Sequence, residues 1–207
     1  MDTTTPFERF SARIYDPVLT LGERRGMRAR RAALLAEATG RVLEIGAGTG
    51  LNLAHYPPSA QLTLTEPVAA MRRRLEQRVR RAVLSAEVLD AQAESLPFSD
   101  GAFDVVVSTL VLCTVDDPHA ALREIERVLR PGGALLFIEH VRADGRARAW
   151  WQDRLARPWA AFAAGCRCNR PTTAMIAHHF ATTAADPAPW RGMPGIVRPL
   201  TIGCATA

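Results

Sequence analysis

"VLEIGAGTGLN", residues 42–52, sets Gly46, Gly48 and Gly50 at alternate positions directly after a short apolar run that carries Glu44. "RVLEIG" reads as a buried strand. The glycines after it form a loop leading into a helix that starts near Thr49 and ends before "YPP" at 56–58. Without a Cβ, glycine lets the backbone turn tightly and approach a ligand closely. An ordinary strand-to-helix turn does not need three glycines at this spacing.

Working outward, strands and helices alternate. "QLTLTE" (61–66), "LSAEVLD" (84–90), "FDVVVSTLVL" (103–112) and "ALLFIEHV" (134–141) read as strands. Between them, "PVAAMRRRLEQRVRRA" starts at Pro67 with a Met71, Leu75, Val79 stripe, and "DDPHAALREIERVLR" (116–130) buries Leu122, Ile125 and Leu129. Before the first strand, one helix carries Phe7, Phe10 and Ile14 on a face and is interrupted at Pro17; a longer one runs from about Val18 to Ala38. After Val141, "RARAWWQDRLARPWAAFAAG" reads as a helix, and "PWRGMPGIVRPLTIGCATA" as the source of a last strand pair. This pattern predicts a doubly wound, mostly parallel α/β sheet. The chain is expected to be a single domain, 1–207: an N-terminal helical lid (1–39), a ligand-binding core (40–141) and a substrate-shaping segment (142–207).

Bulk properties remove several classes. The 207 residues carry a net charge of +5, and all 26 basic residues are Arg. The runs "ERRGMRARR" (23–31) and "RRRLEQRVRR" (72–81) read as solvated helix faces, so no nucleic-acid partner is expected. The apolar run from Val105 to Val115 is broken by Ser108 and Thr109 and falls short of the ~20 residues of a membrane helix. The N-terminus shows no signal peptide, and the four cysteines form no secreted framework. A cytoplasmic protein with reduced thiols and no stable membrane insertion is expected. Cys166 and Cys168 with His178 and His179 lack the usual zinc-finger spacing, so no metal is expected.

Ligands of an open α/β sheet bind at the carboxyl ends of the strands, where the glycine loop lies. A dinucleotide fingerprint requires a third glycine where Leu51 stands, and a phosphate-binding loop requires a lysine that the chain lacks. Glu44 would repel a pyrophosphate and attract a cation. Glu66, 20 residues after Gly46, sits where an acid meets ribose hydroxyls. The loop therefore predicts a cationic, phosphate-free adenosyl ligand, S-adenosyl-L-methionine.

These motifs resemble the class I S-adenosylmethionine-dependent methyltransferases: "EIGAGTG", "TEP", "AQAESLPFSDGAFDVVV" (91–107) and "RVLRPGGALLFIEHV" (127–141). The resemblance implies their seven-stranded Rossmann-like sheet. It implies cofactor contacts from Glu44, Gly46, Ala47, Gly48, Gly50, Asn52, Glu66, Pro67, Met71, Gln92, Ala93, Glu94, Thr109 and Leu110. Gln92 departs from the family's usual acid at the adenine amino group, although its side-chain oxygen can accept that bond. A narrower likeness, through "TLVLC", "EHV", "WWQDRLARPW" and "GCRCNR", is to the thiol S-methyltransferases of animal membranes and their soluble bacterial relatives. The animal proteins carry an N-terminal hydrophobic anchor, a feature not seen in this sequence.

The resemblance implies a small-molecule methyl acceptor, a thiol favoured. A carbon, oxygen or phospholipid-nitrogen acceptor remains open, because "AExLPF" is shared with quinone-biosynthesis enzymes. A non-catalytic cofactor-binding sensor is the reading of another class. The Asp/Asn-Pro-Pro-aromatic motif of nucleic-acid amino-methyltransferases is absent where "STLVLCTV" stands. Candidate catalytic residues are His140 as a base, Cys113 after the fourth strand, and Tyr15 and Asp16 closing from the N-terminus. Trp151, Gln152, Cys166, Asn169 and Arg170 are candidates for shaping the substrate cavity.

Overall fold

The computed structural model describes residues 5–207. Its seven strands form one sheet in the order β3-β2-β1-β4-β5-β7-β6. The strands are β1 (Gly40–Ile45), β2 (Ala60–Thr65), β3 (Ala86–Leu89), β4 (Phe103–Thr109), β5 (Leu129–His140), β6 (Thr182–Pro189) and β7 (Pro199–Thr206). β1 to β5 run parallel, and β7 pairs antiparallel with both β5 and β6. This is the seven-stranded, mostly parallel Rossmann-like sheet of the expectation. The order reverses between β1 and β4, which creates a crevice at their carboxyl ends.

Residue alternation along the central strands feeds two cores. Leu43, Ile45, Val106, Leu135 and Phe137 face α4 (Pro118–Val128) and α6 (Thr172–His179) through Leu122, Ile125 and Ile176. Val42, Leu64, Val105, Val107 and Leu136 face α2 (Arg28–Leu35) and α3 (Ala69–Val79) through Leu35 and Leu75. A strand with both faces covered needs apolar residues in succession, as in "DVVV". α4 starts sharply because Asp117 accepts the amides of His119 and Ala120 at 2.9 and 3.0 Å, with Pro118 in the first turn.

Several boundaries differ from the sequence reading. Pro17 does not interrupt α1 (Pro6–Gly22), which runs through it. The break comes at Arg25 and Gly26, where Gly26 takes φ +121, so the expected long helix is divided into α1 and α2. Of the expected apolar face, the side chain of Phe7 lies outside the described residues and Phe10 is exposed. The helix expected from Thr49 is reduced to a single 3-10 turn at Leu53–His55. Positive φ at Gly46, Gly48 and Gly50 keeps the backbone out of the right-handed helical region as far as Gly50, and Pro57 and Pro58 end the segment soon after the single turn. The last strand pair begins earlier than expected: β6 precedes "PWRGM", and its Pro187 and Pro189 are tolerated because it is the sheet edge. Among the described residues no helix is long and apolar enough to cross a membrane.

Candidate active site

The loop after β1 is built around Gly46 and Gly48, with φ of +53 and +59. A Cβ at Gly46 would stand 2.8 Å from Val111, whereas one at Gly48 would meet nothing within 4 Å. The middle glycine therefore borders open space at the crevice. Its amide donates to Glu66 Oε2 at 2.8 Å, while Glu66 Oε1 accepts the Val68 amide at 2.8 Å. Burial raises the Glu66 pKa, opposed by those two amides. A carboxylate at the end of β2, beside a glycine with room above it, suits the ribose of an S-adenosyl ligand, so the residues present fit that cofactor.

Glu44 is placed differently from a free carboxylate awaiting a cation. Its Oε1 accepts from Asn52 Nδ2 at 2.9 Å and its Oε2 from the Tyr56 hydroxyl at 2.7 Å. Burial pushes its pKa up to about 7, against those two hydrogen bonds. Asn52 also donates to Thr109 Oγ1 at 3.0 Å and accepts from Arg31 Nη1 at 2.8 Å. Arg31, in turn, pairs with Glu23 at 3.1 Å. This buried network ties α2 and the glycine loop to the end of β4. Arg31 and Tyr56 escaped the sequence reading: an Arg in "RARRAALL" looks like part of a solvated run, and the tyrosine sits in a Pro-rich turn.

The N-terminal helix closes over the loop. Asp16 accepts from Thr49 Oγ1 at 2.6 Å and from Arg78 at 2.7 Å. Neighbouring Tyr15 packs against both Met71 of α3 and the apolar layer that holds Cys113. Burial pushes its phenol up to about 12, so it stands as a neutral hydroxyl.

After β4 the chain turns through Leu110, a non-glycine residue at φ +62. Glu139, buried in the middle of an apolar strand, holds this turn: its Oε1 accepts from Ser108 Oγ at 2.7 Å and from the Val111 amide at 2.9 Å. Burial raises its pKa to about 7. An acid inside the apolar run "LLFIEHV" is itself a signal in the sequence that Glu139 has a buried partner.

His140 ends β5, stacked on Trp190 with ring centroids 5.6 Å apart. Burial drops its pKa to about 4, making it a weaker base than its usual value suggests. Cys113 and Cys166 are buried beside it, their sulfurs 3.7 Å apart. The neighbouring Cys113 thiol lowers the Cys166 pKa, against burial, which raises it. All four cysteines are free.

The remaining candidates are dispersed. Gln152 is buried, but its Oε1 accepts the Ala143 amide at 2.8 Å and its Nε2 donates to the carbonyls of Val141, Cys168 and Ile196. It clamps backbone segments together and has no polar atom left for a substrate. Asn169 donates to Asp153, and Arg170 donates to the Leu112 carbonyl, which secures the turn before Cys113. Trp151 is exposed and lines an apolar groove with Leu155, Trp159 and Ile196. Gln92 is exposed in a main-chain bridge to Ser95, Ala93 is in the core, and Glu94 accepts the Asp116 amide at 2.9 Å. Pro67 is exposed at the end of β2. His178 and His179 meet His119 rather than Cys166 and Cys168.

Residues 43–137 match the family model described as a methyltransferase domain. The chain is 36% identical to human thiol S-methyltransferase TMT1B over 75% of its length and 68% of that protein. It is 38% identical to human thiol S-methyltransferase TMT1A over 62% of its length, a match spanning 54% of that relative. The N-methyltransferase NodS from Bradyrhizobium japonicum WM9, solved with S-adenosyl-L-homocysteine, superposes with a TM-score of 0.65 at 20% identity. That superposition covers 89% of this chain and 86% of NodS. At such identity the likeness speaks for the fold alone.

Proposed function

Given that the chain belongs to the class I S-adenosylmethionine-dependent methyltransferases, whose methyl donor is S-adenosyl-L-methionine, we propose that it methylates the sulfur of a small-molecule thiol. The observation that carries this reading is the 36% identity to a thiol S-methyltransferase over 75% of the chain. When bound, the cofactor supplies an electrophilic methyl group on a sulfonium. The chain's own residues bind and orient it: Glu66 takes the ribose, Gly46 and Gly48 let the backbone approach, and the Glu44–Asn52–Thr109 network fixes the loop against β4. α1 closes the crevice through Asp16, which excludes water from the reacting centre.

The character of the acceptor side supports a soft, apolar nucleophile. Leu110, Cys113, Cys166, Met193, Trp159 and Trp190 surround the ends of β4 and β5. A thiol, with pKa ~8.5, presents a fraction of thiolate at neutral pH without a strong base. Purified protein with S-adenosylmethionine and a panel of small thiols should yield methyl thioethers and S-adenosylhomocysteine in equal amounts. Turnover on phenols, quinones or a phospholipid amine, with none on any thiol, would sink the assignment.

A further inference from the structure

We propose that Cys113, His140 and Cys166 form a binding site for a divalent ion of the zinc class, with the acceptor thiolate as its fourth ligand. Only the identity of the fourth ligand rests on the thiol reading above. The two sulfurs and a ring nitrogen of His140 lie within 4.8 Å of one another, and all three residues are buried. They come from three separate places: the turn after β4, the end of β5, and the segment after α5 (Arg146–Phe162).

The spacing suits a metal better than a disulfide. Zinc–thiolate bonds of ~2.3 Å at the tetrahedral angle place two sulfurs ~3.8 Å apart. The sulfurs of Cys113 and Cys166 are 3.7 Å apart. A disulfide requires ~2.05 Å. The imidazole supplies an independent sign. His140 Nδ1 is buried without a hydrogen-bond partner, an unfavourable state for a polar atom when nothing fills it. A neutral imidazole keeps one nitrogen as an unprotonated lone pair, and a buried Nδ1 without a partner is available to serve as a ligand.

Among the described residues no fourth His, Cys, Asp or Glu joins the cluster. Three protein ligands, Cys₂His among them, with one open position is the pattern of catalytic zinc, whereas structural zinc has four. The cluster also has neighbours on the reaction side. Leu51 of the glycine loop, Leu110 and Tyr15 pack in the same apolar layer as Cys113 and Cys166. Trp159 and Ile196 belong both to that layer and to the apolar groove lined by Trp151, a path for an apolar thiol.

In the reaction the acceptor thiol binds the ion and releases its proton to solvent. The thiolate sulfur then forms a bond to the methyl carbon. The carbon–sulfur bond of the sulfonium breaks, and its electron pair stays on the departing S-adenosylhomocysteine. The product is a neutral thioether, a poorer ligand than the thiolate, and leaves the ion.

The test uses the full chain, stripped of metal, reduced with a phosphine and titrated with cobalt(II). One equivalent should bind, with thiolate-to-cobalt absorption in the near-ultraviolet and the visible bands of a tetrahedral ion. Cys113→Ser and Cys166→Ser should each weaken binding by at least tenfold, and Cys204→Ser, in β7, should leave it unchanged. A small thiol should shift the visible bands, and an alcohol of the same shape should not. Failure of the reduced wild-type protein to bind cobalt overturns the site. So does binding that survives Cys113→Ala combined with Cys166→Ala. Cobalt bound through both cysteines but blind to thiol overturns the fourth-ligand role. Thiol methylation by metal-stripped protein at the holoprotein rate overturns the metal's part in the reaction while leaving the proposed function standing. Cobalt that responds to thiol in a protein methylating no thiol defeats the proposed function and leaves the metal site intact.

Discussion

Glu66 accepts the amide of Gly48 at 2.8 Å, so the acid at the end of β2 and the middle glycine of the loop after β1 are linked before any ligand arrives. The carboxylate is thereby aimed across the crevice. Glu66→Ala removes both an acceptor for ribose hydroxyls and the brace on the loop. Hydrogen bonds to a charged group contribute about 1.5–3 kcal/mol, so S-adenosylmethionine affinity should fall ~10- to 100-fold by calorimetry. Unchanged affinity would remove Glu66 from the cofactor site.

Gly48 and Gly26 make a matched pair for a second test. Both have positive φ, and a Cβ at either would meet no protein atom within 4 Å. Alanine at each should lower stability by about 1–2 kcal/mol, the cost of a left-handed conformation for a residue with a side chain. Only Gly48→Ala should also weaken cofactor binding, by tenfold or more, because its methyl group would occupy the space beside Glu66. Equal affinities in the two variants would mean that the space above Gly48 is not the cofactor's.

Asp16 joins α1 to two other elements, through Thr49 at 2.6 Å and Arg78 at 2.7 Å. If α1 is a lid, Asp16→Ala should speed cofactor release ~5- to 30-fold in stopped-flow measurements, corresponding to about 1–2 kcal/mol for two lost bonds at a half-buried carboxylate. Amide exchange in α1 should rise in parallel. An unaltered release rate would reduce α1 to a structural cap.

The sheet was legible because its determinants are local. "DVVV", the Asp117–Pro118 helix start and the glycine loop each state their structure within a few residues. Ends of elements were less so: Pro17 fits inside α1, and the helix after the glycine loop shrinks to one turn because the left-handed glycines extend to Gly50. Glu44 and Glu66 could be named from their places around the loop, and Asn52 from the family resemblance, but not their partners. Arg31 is 21 residues from Asn52, and nothing local distinguishes it from the solvated arginines beside it. The acceptor side was harder still. Cys113 and Cys166 meet across 53 residues, through a turn held by Glu139 and a segment clamped by Gln152. Such convergence depends on packing of α5 that no periodicity announces.

Gln152 was expected to touch substrate, yet its amide is fully used by four backbone groups of 141–196. Gln152→Ala should therefore act on stability, lowering it by about 2–4 kcal/mol through stranded buried carbonyls and an unfilled space. In the fraction that remains folded at low temperature, KM for the acceptor should stay within twofold of wild type. A large rise in KM with an unchanged melting temperature would restore Gln152 as a substrate residue.

The buried Glu44 makes stability depend on pH with a defined sign. Its pKa is raised from 4.5 to about 7 on folding, chiefly by burial. Between those values the unfolded chain has lost the proton and the folded chain keeps it. The unfolded state then binds fewer protons, so the contribution of Glu44 to stability is whole below pH ~4.5 and declines as pH rises to about 7. The decline is at most about 3 kcal/mol at 1.36 kcal/mol per pKa unit. Glu44→Gln keeps an oxygen for Asn52 but cannot ionise. Relative to wild type, this variant should gain stability steadily from pH 4.5 to 7 and then run parallel, as read from urea unfolding across that range. The comparison must be of the two proteins at each pH, because His140, with its pKa lowered to about 4, changes wild-type stability in the opposite sense over nearly the same interval. A difference that stays flat with pH would show that Glu44 is already ionised in the folded protein, held so by Arg31 through Asn52.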